Sequence, residues 1–251
     1  MSNKIEKEYG KPRKWTLVLA AALAALLILL VGLMIQNQTQ KDDPQSAAVS
    51  AKEEPGQIQR DTDVRQTYSL GEGLEITDVG SYTGVYMEDG SDEVVTGVMM
   101  IIVSNTSDKA LEYAEITLSG GAGEGRFTVS ALPTGESVVL LEKNRKPYAS
   151  GVEYSQAKAE NIAFFQSEIS LMEDELKIQP LDGGVNVTNI SDRDIDGDIF
   201  ICYKNEANGL LYGGIAYRVR IEGGLKAGEI RQIMTNHFSD SGTALIYVSV
   251  T

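Results

Sequence analysis

Residues 15–35 read WTLVLAAALAALLILLVGLMI, a run of 21 residues without a charge. At 1.5 Å per residue such a run is about 30 Å long as a helix, the thickness of a hydrocarbon core. Cleaved signal peptides have shorter apolar regions, about 7–15 residues, with a small-residue cleavage site close behind. Here Gln36-Asn37-Gln38-Thr39-Gln40 follows, and the nearest A-x-A-like site, Val49-Ser50-Ala51, lies well downstream. The expectation is one uncleaved transmembrane helix. Lys4, Lys7, Lys11, Arg13 and Lys14 precede it, against Glu6 and Glu8, and Lys41-Asp42-Asp43 follows it. The positive-inside rule makes residues 1–14 a cytoplasmic tail and places the chain beyond residue 35 outside the cell membrane. Trp15 suits the inner interface, and Gly32 makes no GxxxG pair that would dimerise the helix.

The formal charge of the chain is −14, and beyond residue 14 there are 17 basic against 34 acidic residues. Phosphate binding needs Lys and Arg to dominate a face, so a nucleic-acid partner is not expected. An acidic surface keeps a domain soluble and attracts cations or basic partners. Cys202 is the single cysteine, which excludes an intrachain disulfide and points to a bacterial envelope protein that folds on core packing alone. Its place after Ile199-Phe200-Ile201 reads as a small buried apolar residue.

Residues 36–66 hold Gln, Asp, Pro44, Ser, Ala, Lys, Glu, Pro55 and Gly56 with few large apolar side chains. This composition reads as a disordered stalk whose ends lie about 30 Å apart as a coil. From Tyr68 onward, short β-branched and apolar runs alternate with Gly, Asn, Asp and Ser. The candidate strands are 74–79, 83–87, 93–104, 115–118, 126–131, 137–141, 162–165, 176–178, 184–188, 199–203, 211–221, 229–234 and 243–250, with a helix at 155–165 as an alternative for that segment. The expected fold class is an all-β ectodomain of sandwich type after one N-terminal transmembrane helix. Asn208-Gly209 between two apolar runs signals a hairpin.

A duplication runs through this region. Val103-Ser104-Asn105-Thr106-Ser107-Asp108-Lys109 resembles Val187-Thr188-Asn189-Ile190-Ser191-Asp192-Arg193 at an offset of 84, and Leu132-Pro133-Thr134-Gly135-Glu136 resembles Leu225-Lys226-Ala227-Gly228-Glu229 at an offset of 93. The added nine residues are expected in a long hairpin at 205–217. In the first motif a strand ends in a turn whose Asn, Ser and Asp bond their own backbone. In the second a buried Leu anchors a loop and Gly supplies the backbone angle before the next strand. This order resembles the immunoglobulin-like modules of Gram-positive envelope proteins, including the FxLYD type, though without that type's aromatic signature. The resemblance spans 67–251 in two copies. It implies two immunoglobulin-like β-sandwiches in tandem, 67–167 and 168–251, with a binding or spacing role and no catalytic residue.

The repeat also makes one asymmetry visible. Val185 and Val187 should face the core of copy two, which maps the inward pair of copy one onto Ile101 and Val103. Val98, Met100 and Ile102 then share a face that is polar in copy two. Either a local strand such as 83–87 or packing between the copies covers them, or they form a partner-binding patch.

Asp192, Asp194 and Asp196, with Gly197, match the first half of a calcium loop. The twelfth position is Tyr203 instead of an acid, and the repeat alignment makes the segment an ordinary turn. His237 is the only histidine, so no second histidine is at hand for zinc, and no G-x-S-x-G elbow accompanies it. Acidic pairs are plentiful enough for glycosidase-like chemistry, but two small sandwiches leave little room for a deep cleft. Residues 120–125 read as a hairpin loop, because they open no helix. Arg218 and Arg220 should share a solvent face and be neutralised within this acidic domain. The expectation is a non-enzymatic, membrane-anchored binding or scaffolding module of a bacterial envelope, without cofactor, whose partner is an unknown envelope protein or polymer. The alternatives are an accessory subunit of a transporter or secretion complex, and a wall-polymer hydrolase.

Overall fold

The structure, a computed structural model, describes residues 56–61, 67–121 and 123–251. The helix expected at 15–35 and most of the stalk lie outside the described residues. Among the described residues no helix is long and apolar enough to cross a membrane. Those residues are all-β, with fourteen strands: β1 (Gln57–Arg60), β2 (Tyr68–Gly71), β3 (Leu74–Val85), β4 (Val94–Asn105), β5 (Leu111–Gly120), β6 (Gly123–Leu132), β7 (Ser137–Leu141), β8 (Tyr154–Phe164), β9 (Leu176–Leu181), β10 (Gly184–Asn189), β11 (Ile199–Ala207), β12 (Leu210–Ile221), β13 (Ile230–Met234) and β14 (Thr243–Val250). The described residues make one compact unit.

The pairing repeats. In the first half β4 lies between β3 and β7, and β5 between β6 and β8; in the second half β10 lies between β9 and β13, and β11 between β12 and β14. Each half layers its two three-stranded sets over its own core, giving a sandwich-like arrangement. Ile76, Ile101, Val103 and Leu140 meet Ile116, Leu118, Phe127 and Val129 in the first core. Val185, Val187, Ile199, Ile201 and Val219 form the second. Alternation along each strand sends one set of side chains inward, and Ile101 and Val103 point in as the repeat required.

The halves are also joined. Strand β7, the edge of the first half, pairs in parallel with β12 through Leu211↔Val138 and Tyr212↔Val139. One eight-stranded sheet therefore runs β1-β3-β4-β7-β12-β11-β14, with β2 beside β1 along β3. Leu211 and Ile246 of the second half sit in the core of the first.

Three expectations change. First, residues 57–60 of the supposed stalk are strand β1, paired with Gly80–Thr83 in reverse order. Its composition is polar, but glycine makes room for it: a Cβ on Gly80 would stand 2.4 Å from the Gln59 carbonyl oxygen. Asp61 then accepts hydrogen bonds from the Tyr148 and Ser150 hydroxyls and the Gly151 N–H. Second, residues 154–164 form β8 and no helix. Gln, Ala, Lys and Glu favour a helix in isolation, but pairing with β5 lets Ala157 and Ala159 pack on the first core. Third, only part of the nine-residue insertion lies in 205–217. Leu111↔Leu132 corresponds to Ile195↔Leu225, and the next pair in copy two is Ile199↔Ile221, so 196–198 and 222–224 are two three-residue additions. The third addition is a bulge in which 213–216 face the single residue Lys204. The Asn208-Gly209 hairpin forms as expected, with φ of 53° and 74°, the positive pair of a type I′ turn.

Candidate functional site

The two repeat motifs meet in space and lock each other. Asn105 is fully buried and its Nδ2 donates to the carbonyls of Lys109 (2.9 Å) and Leu132 (3.0 Å). Its Oδ1 accepts from the Ser107 N–H (3.1 Å) and hydroxyl (2.6 Å). Asn189, also fully buried, repeats the set: Nδ2 to the carbonyls of Arg193 (2.8 Å) and Leu225 (3.1 Å), Oδ1 from the Ser191 N–H (3.0 Å) and hydroxyl (2.7 Å). The Gly of each L-x-x-G-E loop donates its N–H to the same Asn carbonyl, Gly135 to Asn105 (2.8 Å) and Gly228 to Asn189 (3.0 Å). A buried amide must have its donors and acceptors filled, and here the other motif supplies one of them.

The junction between the halves holds the most unusual chemistry. The bulge at 213–216 breaks the ladder where β12 leaves β7. The Glu88 side chain fills the break: its Oε1 accepts the Leu141 N–H and its Oε2 the Gly214 N–H, both at 2.8 Å. The residue as a whole is partly exposed, but its carboxylate is enclosed. Lys204, with no exposed surface, donates to the carbonyls of Gly213 (2.8 Å) and Ile215 (2.9 Å), and the Ser130 hydroxyl donates to that of Gly214 (2.8 Å). Gly214 is required, since a Cβ there would stand 2.0 Å from the Thr128 carbonyl oxygen.

Burial pushes the Glu88 carboxyl up to about 7 against the two N–H bonds and the nearby Lys204, while burial pushes Lys204 down to about 7 against the attraction of Glu88. A carboxyl whose pKa is raised by folding stabilises the fold below its ordinary value of 4.5 and loses that contribution as pH rises through about 7. Lys204 works in the other direction, its contribution full above 10.5 and lost as pH falls through about 7. Stability measured by urea unfolding is therefore expected to decline as pH rises from about 4.5 to about 7, and Glu88→Gln should abolish that decline.

The apolar face of copy one is covered by its own chain. Val98, Met100 and Ile102 are 3%, 0% and 3% exposed and pack with Tyr82, Tyr86, Met87, Val139, Leu141 and Tyr212. The cover combines the segment after β3, Ile58 of β1, and Ala207 and Leu210 at the tip of the β11–β12 hairpin. These residues are thus an internal junction in place of an open partner-binding patch. Met100→Asp would put an unpaired charge into this cluster and is expected to lower stability by about 4 kcal/mol or more, seen as a fall in thermal midpoint.

The calcium candidates are not brought together. Asp192, Asp194 and Asp196 are all exposed; Asp194 accepts the Ala227 N–H (2.9 Å), closing the turn against the L-x-x-G-E loop. Among the described residues no group of three acidic, His or Cys side chains is placed to hold a metal. Asp198, outside the proposed set, accepts from Arg220 and from the Gly223 N–H. Arg218 and Arg220 are both exposed, and Arg220 is neutralised by Asp198 and Glu222. Cys202 is buried, and burial pushes its thiol up. His237 stacks on Tyr217 with ring centroids 4.7 Å apart, and its Nδ1 lies 3.5 Å from the Asp92 carboxylate. Gly120 and Gly123 pair at the end of the β5–β6 hairpin.

Sequence reasoning did not reach Glu88 or Lys204. The usable signal was Gly213-Gly214 within the run Leu210–Tyr217, which is otherwise apolar and aromatic, a pattern that marks a bulge or a close backbone approach. No protein-family model matches this chain, and no curated protein or solved structure matches it.

Proposed function

We propose that the chain is a non-catalytic, membrane-anchored binding or scaffolding module of a bacterial cell envelope. In this reading residues 15–35 span the membrane, and two immunoglobulin-like sandwiches in tandem lie outside it. The observation that carries the reading is the recurrence of the Asn-locked β unit, bond for bond, at Asn105 and Asn189. The charge asymmetry around residues 15–35 supports the orientation. The deeply buried polar side chains support a structural use of the interior: Asn105, Glu142, Asn189 and Lys204 all bond to backbone groups. Modules of this kind act through their surfaces, and the long hairpin that welds the halves makes a stiff spacer.

Carbonate extraction and protease treatment of intact cells producing the full chain test the anchor and its direction. The reading expects the protein to stay in the membrane pellet and its C-terminal region to be digested from outside while an N-terminal tag is protected. Release into the carbonate supernatant, or a protected C-terminus, would contradict it.

A further inference from the structure

The face that copy one buries at its junction is open in copy two. Strands β9, β10 and β13 of the second half correspond to β3, β4 and β7, and their outward residues follow from the pairing. Lys177, Thr188 and Ile230 form one row, Gln179, Asn186 and Gln232 the next, and Leu181, Gly184 and Met234 the third. Ile230 and Met234 are 67% and 66% exposed. In a chain of formal charge −14 these nine positions hold no acid and one base, Lys177.

We propose that this face is a contact surface for a second copy of the chain. Two such acidic molecules repel over most of their surface, and this face is one through which they can meet without opposing carboxylates. Its pattern is self-complementary about a two-fold axis lying along the middle row, as an isologous contact requires. That axis lays the Lys177–Ile230 row on the Leu181–Met234 row of the second copy. Ile230 then packs on Met234, and Lys177 approaches Asp182, the exposed residue at the turn next to Leu181. The three amides of the middle row face their own counterparts, where each supplies both a donor and an acceptor. With strands about 4.8 Å apart and 3.3 Å of rise per residue, the face is small beside the ~800 Å² per partner of stable complexes. The association is accordingly weak, which calls for covalent trapping. The inference stands whether or not residues 15–35 span a membrane.

Oxidative cross-linking of the purified full-length chain in detergent tests it. Gln232→Cys should give a disulfide-linked dimer, and Ile230→Lys or Met234→Lys added to it should abolish that dimer while the thermal midpoint is kept. A chain with Ile230→Cys mixed with one carrying Met234→Cys should give the mixed disulfide in preference to either symmetric one. Glu115→Cys, on an exposed site of β5, and the unmodified chain with its buried Cys202 should give no disulfide-linked dimer. A monomeric Gln232→Cys chain, a dimer no more abundant than with Glu115→Cys, or one indifferent to the lysines would overturn the proposal. So would capture in membranes of a different protein at Gln232→Cys with no homodimer.

Discussion

Replacing Glu88 by alanine is expected to lower the stability of the folded chain by about 3 kcal/mol, because two enclosed backbone N–H groups lose their acceptor at about 1–3 kcal/mol each. The variant leaves the Leu141 and Gly214 N–H groups without their acceptor and leaves Lys204 buried without a nearby anion. Glu88→Gln keeps the shape but turns an NH₂ toward one of the two N–H donors, so a loss of about 1–3 kcal/mol is expected. Lys204→Met removes the cation and leaves two carbonyls unfilled. A double-mutant cycle between positions 88 and 204, read by urea unfolding, should show that the two losses do not add, since the residues share the bulge at 213–216. Additive losses would mean that the two side chains act independently.

Asn105→Ala and Asn189→Ala are expected to have effects nearly as large. Each strands one buried carbonyl, of Leu132 or Leu225, and the N–H of a serine, while the serine hydroxyl keeps the Lys109 or Arg193 carbonyl as its partner; the cost is about 1–3 kcal/mol for each group left unsatisfied. Because the partners are the same in kind and distance, the two variants should lose similar amounts, roughly 3 kcal/mol or more each. Asparagine to aspartate should fare no better: the replacement oxygen would face the carbonyls of Leu132 or Leu225 where a donor is required. Unequal losses from the two alanine variants would show that one lock is incidental to its half.

The parts of this fold that could be read from the sequence are those whose determinants are local. The Asn-x-Ser turn, the L-x-x-G-E loop and the Asn208-Gly209 hairpin carry their conformations in adjacent residues, so they could be placed, and the repeat could be found through them. Comparing the copies also showed that Met100 and Ile102 needed a cover. What provides that cover was not legible, because it depends on contacts distant in the chain: Tyr86 with Glu142, Glu88 with Gly214, Tyr212 with the β4 face. Strand β1 was missed for the same reason. Gln57–Arg60 has no strand signal of its own and is ordered by Gly80, Tyr82 and the edge of β3. Residues 154–164 show the opposite case, in which a local preference for helix is present and pairing overrides it. The acidic triad at 192–196 was legible as a turn; the repeat pointed to that reading, and the Asp194 bond to the L-x-x-G-E loop gives it a structural use.

The central structural claim is that the two halves share a sheet through β7 and β12, sealed by Glu88. Amide hydrogen exchange, read strand by strand on the full chain, addresses it most directly. The account predicts that residues 137–141 and 210–212 are protected to the same degree as β4 and β11, that the Leu141 and Gly214 amides held by Glu88 are protected with them, and that Glu88→Ala speeds exchange at both segments while β4 and β10 keep their protection. Rapid exchange along β7 in the unmodified chain, as at a free sheet edge, would contradict it.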